Sequence, residues 1–280
     1  MASGGAERIA ALAAPLTHLA RRGSLLIATD FDGTLAPVVR DPDRARPLPE
    51  ARRALEILAR HTPVAIISAR DLSNLAAHCQ LTGVLLLGSY GLEPWLQMSA
   101  GEPPPKARAP SPELLQLARE LSAVTAWLDG VQVEVKSLGV AVHYRNSPEP
   151  RRVGPIVRRQ VEQLSARHRF QVVRGRLVVE ARPPRSGNKG SALRLLLDRL
   201  QPRGCVYAGD DLGDLPAMRE LHARAGQLEL AEAVGVLSSE AHPELLREVD
   251  HLLDGPRQWA ELLQMVAGAV SDPATAPAGR

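Results

Sequence analysis

Aromatic residues make up only 3% of the 280 residues, so the core has to be built from Leu, Val, Ile and Ala, which suits buried strands flanked by helices. The two cysteines, Cys79 and Cys205, cannot form a disulfide framework and have no partner at zinc-finger spacing, which points to a reducing compartment. Among 34 basic residues only Lys106, Lys136 and Lys189 are lysines, so each of the three is worth inspecting for a specific role. No apolar run approaches the roughly 18 residues of a membrane span. The amino-terminal segment carries acidic Glu7 and lacks a charged start followed by an apolar block, so it does not read as a signal peptide. Net charge is +3, scattered in pairs such as Arg52-Arg53 and Arg158-Arg159 without interleaved aromatics. Neither nucleic acid nor a membrane is therefore an expected partner, and the expected location is cytoplasmic.

What remains is a chain with 45% hydrophobic and 23% charged residues, as in folded soluble proteins, and a length that allows one large domain or two ordinary ones. Residues 6–20 have helical apolar spacing, and SLLIATDFDGTL is a buried strand ending in a loop. LPEARRALEILARH predicts a helix with Leu48, Ala51, Leu55 and Leu58 on one side, followed by the strand PVAIISAR, a helix from about Asp71, and the strand GVLLLGS. Continuous apolar strands separated by helices predict a parallel sheet covered on both faces, with ligands at the strand ends.

The pattern changes at the Pro-rich stretch 101–112, which reads as a linker. A helix over 113–128 precedes VQVEVKSLGVAVHYRN, a hairpin turning at Ser137–Gly139. A second helix over about 149–168 precedes FQVVRGRLVVEARP, a hairpin turning at Arg174-Gly175. After PPRSGN the first pattern resumes with helix 189–200, the strand GCVYAGDD, and further β/α signals. The middle unit is thus an α+β insertion (106–183) in an α/β domain (1–105 and 184–280), and the tail from Ser271 reads as disordered.

Chemistry concentrates at the strand ends. Asp30 and Asp32 in Asp30-Phe31-Asp32-Gly33-Thr34 stand two apart after a buried strand. Alternation in an extended segment would present both carboxylates together, where a hard cation such as Mg²⁺ would offset their repulsion and gather phosphate oxygens. Ser68 ends the second strand, Lys189 opens the helix after the insertion, and Gly209-Asp210-Asp211-Leu212-Gly213-Asp214 adds acids at the end of a third strand. Asp210 is the foremost further metal ligand, while Asp211 and Asp214 are left open between direct ligand and orienting neighbour.

These four motifs, in this order, resemble the haloacid dehalogenase-like phosphatases. The resemblance implies a Rossmann-like parallel-sheet core with the insertion as a cap that selects the leaving group. It makes Asp30 the nucleophile that forms an aspartyl phosphate, Asp32 the general acid and base, and Lys189 the neutraliser of charge on Asp30 and the phosphoryl group. Thr34 would help position Asp32 and contact phosphate, Ser68 would bind a phosphoryl oxygen, and Mg²⁺ would be held by Asp30, the Asp32 carbonyl, Asp210 and Asp211, with Asp214 beside them.

Within the insertion, Glu134-Val135-Lys136, His143-Tyr144-Arg145 and Gly175 followed by Glu180-Ala181-Arg182-Pro183 resemble, with the core motifs, the trehalose-6-phosphate phosphatases over about residues 24–260. That likeness implies sugar contacts by Glu134, Lys136 and Glu180, with Arg145 as an addition. Ser68-Ala69-Arg70, Ser89-Tyr90-Gly91 and Leu215 depart from the family's usual Ser-Gly-Arg, Asn-His-Gly and an acid after Asp214. The expected activity is Mg²⁺-dependent hydrolysis of trehalose 6-phosphate by a monomer, with possible association with a trehalose-phosphate synthase. The alternatives are sucrose 6-phosphate or glucosylglycerol phosphate as substrate, or an inactive regulatory partner of such a synthase.

Overall fold

All five side chains of β1 (Leu25–Thr29) are buried, because the strand is covered on both faces and neither parity of residues reaches water. In the computed structural model, which describes residues 3–272 except 40, 97–101, 103–105, 107, 176, 185 and 238–243, the chain divides into two units. One comprises Met1–Pro105 with Asn188–Arg280, the other Lys106–Gly187.

The first unit carries α1 (Ser3–Arg21), β1, α2 (Pro49–Leu58), β2 (Val64–Ile67), α3 (Leu72–Cys79), β3 (Leu85–Gly88) and β4 (Glu93–Leu96) before the break. After it come α6 (Lys189–Leu200), β9 (Gly204–Gly209), α7 (Leu215–Ala223), β10 (Leu230–Val236), β11 (His251–Leu253) and α8 (Gly255–Ser271). The strand order is β11-β10-β9-β1-β2-β3-β4, parallel except for β4, which runs antiparallel to β3. Leu25 and Ile27 pack into one aliphatic cluster with α1, α2 and α8, while Leu26 and Ala28 pack into another with α6 and α7. The chain runs outward from β1 through β2 and β3, then returns to β9 on the other side of β1 and runs outward again. Strand order therefore reverses between β1 and β9, where open α/β sheets leave a crevice beyond the carboxyl ends of the strands.

The second unit contains α4 (Pro112–Thr125), β5 (Gln132–Lys136), β6 (Gly139–His143), α5 (Pro150–His168), β7 (Gln171–Gly175) and β8 (Val178–Arg182). Its antiparallel sheet has the order β5-β6-β8-β7. Val140, Val142, Val179 and Ala181 pack against Leu117, Leu121, Val157 and Val161 of the two helices, so one face is apolar and covered. Rossmann-like parallel sheet and α+β insertion are both as the sequence implies.

Several boundaries differ. The edge strand β4 was not expected, and its Pro94 shows why: an edge strand needs no ladder hydrogen bond on its outer side. The helix expected over 113–128 ends at Thr125, because Leu128 turns inward and Gly130, at φ 72°, redirects the chain into β5 where a Cβ would overlap Asn146. The second hairpin turns after Gly175 rather than at Arg174-Gly175, with Leu177 at φ 56°. Much of the linker (101, 103–105, 107) and the tail from 273 lie outside the described residues. No described helix is long and apolar enough to cross a membrane.

Candidate active site

Asp30 follows β1 and Asp210 follows β9, so the reversal of strand order places one acid on each side of the crevice. The Asp30 amide donates to Ala208 O (2.8 Å), extending the β1–β9 pairing by one residue and fixing where the carboxylate emerges. Lys189 is the first residue of α6, whose start is closed by a capping box in which Asn188 and Ser191 satisfy each other's amides. From there Lys189 Nζ reaches Asp30 Oδ1 at 2.6 Å and Asp214 Oδ1 at 2.9 Å. All three side chains are buried.

Asp214 is the most heavily engaged of the acids. Its Oδ1 accepts from Lys189 Nζ and from the Tyr207 hydroxyl (2.5 Å), and its Oδ2 accepts from the amides of Asp210 and Asp211 (both 3.1 Å). A carboxylate has about four acceptor positions, and protein donors take all of them. Tyr207 could have been singled out from the sequence, because a tyrosine in a fully buried strand must find a partner for its hydroxyl.

Asp30, Asp210 and Asp214 each offer an oxygen within 4.8 Å of the others. The carboxylates of Asp211 and of Asp32, whose expected contact with a cation is its backbone carbonyl, stand outside this group. Asp211 Oδ1 accepts from the Gly213 amide at 2.7 Å. The two carboxylates of the first motif diverge because the chain stops being extended at Asp30 and folds into a tight loop. In it Leu35 and Ala36 donate to Phe31 O, and Gly33 donates to Ala36 O. Asp32 is then seized by Arg70: Nε to Oδ2 at 2.7 Å and Nη2 to Oδ1 at 2.8 Å. Arg70 also donates to Asn74 Oδ1 and Pro42 O and lies over the Phe31 ring, its carbon 5.1 Å from the centroid. Arg70 grips Asp32, and no side-chain hydrogen bond joins Thr34 to it. Thr34 Oγ1 is buried with no hydrogen-bond partner among the described residues. Ser68 is buried too, its Oγ accepting from the Arg70 amide at 3.2 Å, while the residue at the cap position of α3 is Asp71.

Burial pushes Asp30 well above the ordinary carboxylate range; Lys189 opposes this, and Asp214 and Asp211 add to it. Asp210 is raised by burial and then by Asp211, Asp30 and Asp214, and Asp211 by burial and Asp214. Burial works against the Lys189 ammonium, but Asp214 and Asp30 outweigh it and hold the group charged well above its usual range. Three buried acids around one lysine resist ionising together, a repulsion that a hard cation would offset. Gly33 completes the cradle: at φ +85° its missing side chain lets the first-motif loop approach Asp210, whose carboxylate a Cβ would overlap. The donor set therefore fits a divalent cation bound by oxygen.

In the second unit, sheet register puts Glu134 opposite Ala141 and Ala141 opposite Glu180 in one cross-strand row, on the face away from the helices. Lys136, two residues on from Glu134, faces Gly139 and reaches Glu180 Oε1 at 3.4 Å, both side chains being largely buried. Gly139 and Ala141 thus form a low floor between two charged walls, and a Cβ at 139 would press on the Glu180 carboxylate at 3.0 Å. Glu134, Lys136 and Glu180 thus share one face of the sheet. Arg145 does not join the ladder, because β6 ends at His143 and Arg145 sits in the turn beyond it.

Residues 28–244 match the family described as Trehalose-phosphatase. The chain belongs to the trehalose-phosphatase family. A trehalose-phosphate phosphatase of Mycobacterium leprae is 34% identical over 253 residues, covering 87% of this chain and 57% of that protein. The chain thus spans about half the length of the curated relatives it matches. The C-terminal domain of Candida albicans trehalose-6-phosphate phosphatase superposes with a TM-score of 0.72 at 22% identity, over 91% of this chain and 96% of that one. The C-terminal domain of the C. albicans trehalose synthase regulatory protein does so with a TM-score of 0.63 at 13% identity, over 88% and 94%. The family's fold accordingly occurs under both a phosphatase and a regulatory name, and only the side chains can separate the two.

Proposed function

We infer that the chain is a phosphoric monoester hydrolase acting on trehalose 6-phosphate with a divalent cation, Mg²⁺ by the chemistry of its oxygen donors. The observation that carries this reading is the contact of Lys189 with Asp30 inside the acid cluster at the reversal of strand order. An inactive homologue has no chemical reason to keep an ammonium 2.6 Å from a buried carboxylate beside two further acids.

Asp30 attacks phosphorus and becomes an aspartyl phosphate, while Lys189 neutralises its carboxylate and the phosphoryl oxygens. Asp32, aimed by Arg70, acts in its protonated form once one of the two oxygens that Arg70 binds here is freed: it gives its proton to the leaving sugar oxygen and, now a carboxylate, takes a proton from the attacking water. Thr34 and Ser68 contribute buried hydroxyls for phosphoryl oxygens. Asp30, Asp210 and the Asp32 carbonyl hold the cation, with Asp211 near it. Asp214, its acceptor positions filled, orients Lys189 and the loop carrying Asp210 and Asp211. Once bound, the cation supplies charge stabilisation to the phosphoryl group. Glu134, Lys136 and Glu180, walling a floor of Gly139 and Ala141, recognise sugar hydroxyls, with Arg145 at the margin. Division of labour between core (1–105, 184–280) and cap (106–183) follows from this reading.

The test is phosphate release from trehalose 6-phosphate beside sucrose 6-phosphate and glucose 6-phosphate, with Mg²⁺ or chelator and with Asp30→Asn as blank. Selective, metal-dependent release supports the reading. Release from another ester alone overturns the sugar assignment, and no release from any ester favours a regulatory role.

A further inference from the structure

His143 is the last residue of β6 and stands two residues beyond Ala141, hence on the same face of the sheet as Glu134, Lys136 and Glu180. Its partner across the ladder is Gln132, so Glu134, two residues along β5, is its diagonal neighbour and within reach of a long side chain. The ring meets that neighbour: His143 Nε2 lies 2.7 Å from Glu134 Oε2. An ionised carboxylate only accepts, so Nε2 carries the proton and donates. Glu134 is half exposed, its side chain keeping 51% of its accessible surface, and each donor that engages its carboxylate narrows the rotamers it samples.

We propose that His143 is a positioning residue for sugar recognition, holding the Glu134 carboxylate in one orientation as the acceptor for a sugar hydroxyl at the rim of the Gly139–Ala141 floor. This rests on the sugar-phosphate reading above. A surface His–Glu pair adds little to folding stability, so its loss should be felt in substrate affinity rather than in the fold. Because the contact is made equally in the ground and transition states, it acts on KM and not on kcat.

The experiment is steady-state kinetics with Mg²⁺ on trehalose 6-phosphate and on p-nitrophenyl phosphate, which offers no sugar hydroxyl. The proteins compared are the full chain and its His143→Ala, His143→Gln, Glu134→Gln and His143→Ala/Glu134→Gln variants. Expected for His143→Ala is a rise in KM for trehalose 6-phosphate of about ten-fold with kcat held, as for a lost charge-assisted hydrogen bond. The preference for trehalose 6-phosphate over p-nitrophenyl phosphate should fall by a similar factor. His143→Gln, which keeps a donor near the Nε2 position, should recover most of the loss. The double variant should be no worse than Glu134→Gln alone. An unchanged KM in His143→Ala, a fall in kcat on both esters, or additive effects in the double variant would each overturn the proposal while leaving the substrate reading standing. A parent chain without selectivity for trehalose 6-phosphate would overturn that reading, and the role of His143 with it.

Discussion

Arg70 clasps Asp32 through two parallel hydrogen bonds, Nε to Oδ2 at 2.7 Å and Nη2 to Oδ1 at 2.8 Å. The fork matches the carboxylate in a way an ammonium cannot reproduce. Arg70→Lys is therefore expected to lower kcat on a sugar phosphate by about a hundred-fold, the lower end of what general acid–base catalysis supplies. On p-nitrophenyl phosphate, whose leaving group needs no proton, the loss should be smaller and confined to the water-activation step that both esters share. Equal losses on the two esters would show that Arg70 does not serve protonation of the leaving group through Asp32.

Tyr207 tests the neighbouring linkage. Its hydroxyl donates to the same Asp214 oxygen that receives Lys189, inside a fully buried network. Tyr207→Phe should cost about 1.5–3 kcal/mol in denaturant unfolding, the range for a hydrogen bond to a charged group, with an unchanged m value. Asp214→Ala should cost more, about 3–5 kcal/mol, since it strands the ammonium beside Asp30 and leaves two amides unpaired. If Tyr207→Phe proved neutral, Asp214 would not depend on the phenol.

The acids also predict how stability changes with pH when no metal is present. Asp210 and Asp30 titrate above their unfolded value of about 4, so beyond that pH the unfolded chain releases protons that the folded chain retains. Folding stability without metal should consequently fall as pH rises from about 4 toward the folded values. Lys189 has the same sign, since its pKa too is raised: its contribution persists below its ordinary value near 10.4 and is lost as pH rises above it, outside this window. Mg²⁺ should raise the melting temperature more at pH 7.5 than at pH 5 and release protons on binding, measurable by calorimetry in buffers of different ionisation enthalpy. A Mg²⁺ effect independent of pH would argue against cation binding at these carboxylates.

Gly33 offers a steric test. Its φ of +85° disfavours any side chain, and a methyl group there would overlap the Asp210 carboxylate. Gly33→Ala should lose about 1–3 kcal/mol of stability and most of the Mg²⁺-induced thermal shift. An unaltered shift would mean that the approach of the first-motif loop to Asp210 is irrelevant to the metal.

The sequence alone sufficed where chemistry and chain order coincide. Buried apolar runs such as Leu25–Thr29 announce a two-sided sheet, alternation around Glu134 and Lys136 announces a one-sided one, and acids directly after strands mark the ligand end. From these the α/β core, the inserted α+β unit and the family were readable. Tertiary structure alone decided which acids meet. Asp30 and Asp32 are two residues apart, yet they part company because the loop between them is closed by its own backbone hydrogen bonds, so that one carboxylate faces Lys189 and the other Arg70. Asp214 similarly fills its acceptor positions with donors from Lys189, Tyr207 and two loop amides, and His143 finds Glu134 through strand register. Spacing along a chain sets which residues can share a face, whereas the direction of a carboxylate depends on donors brought to it from distant parts of the sequence.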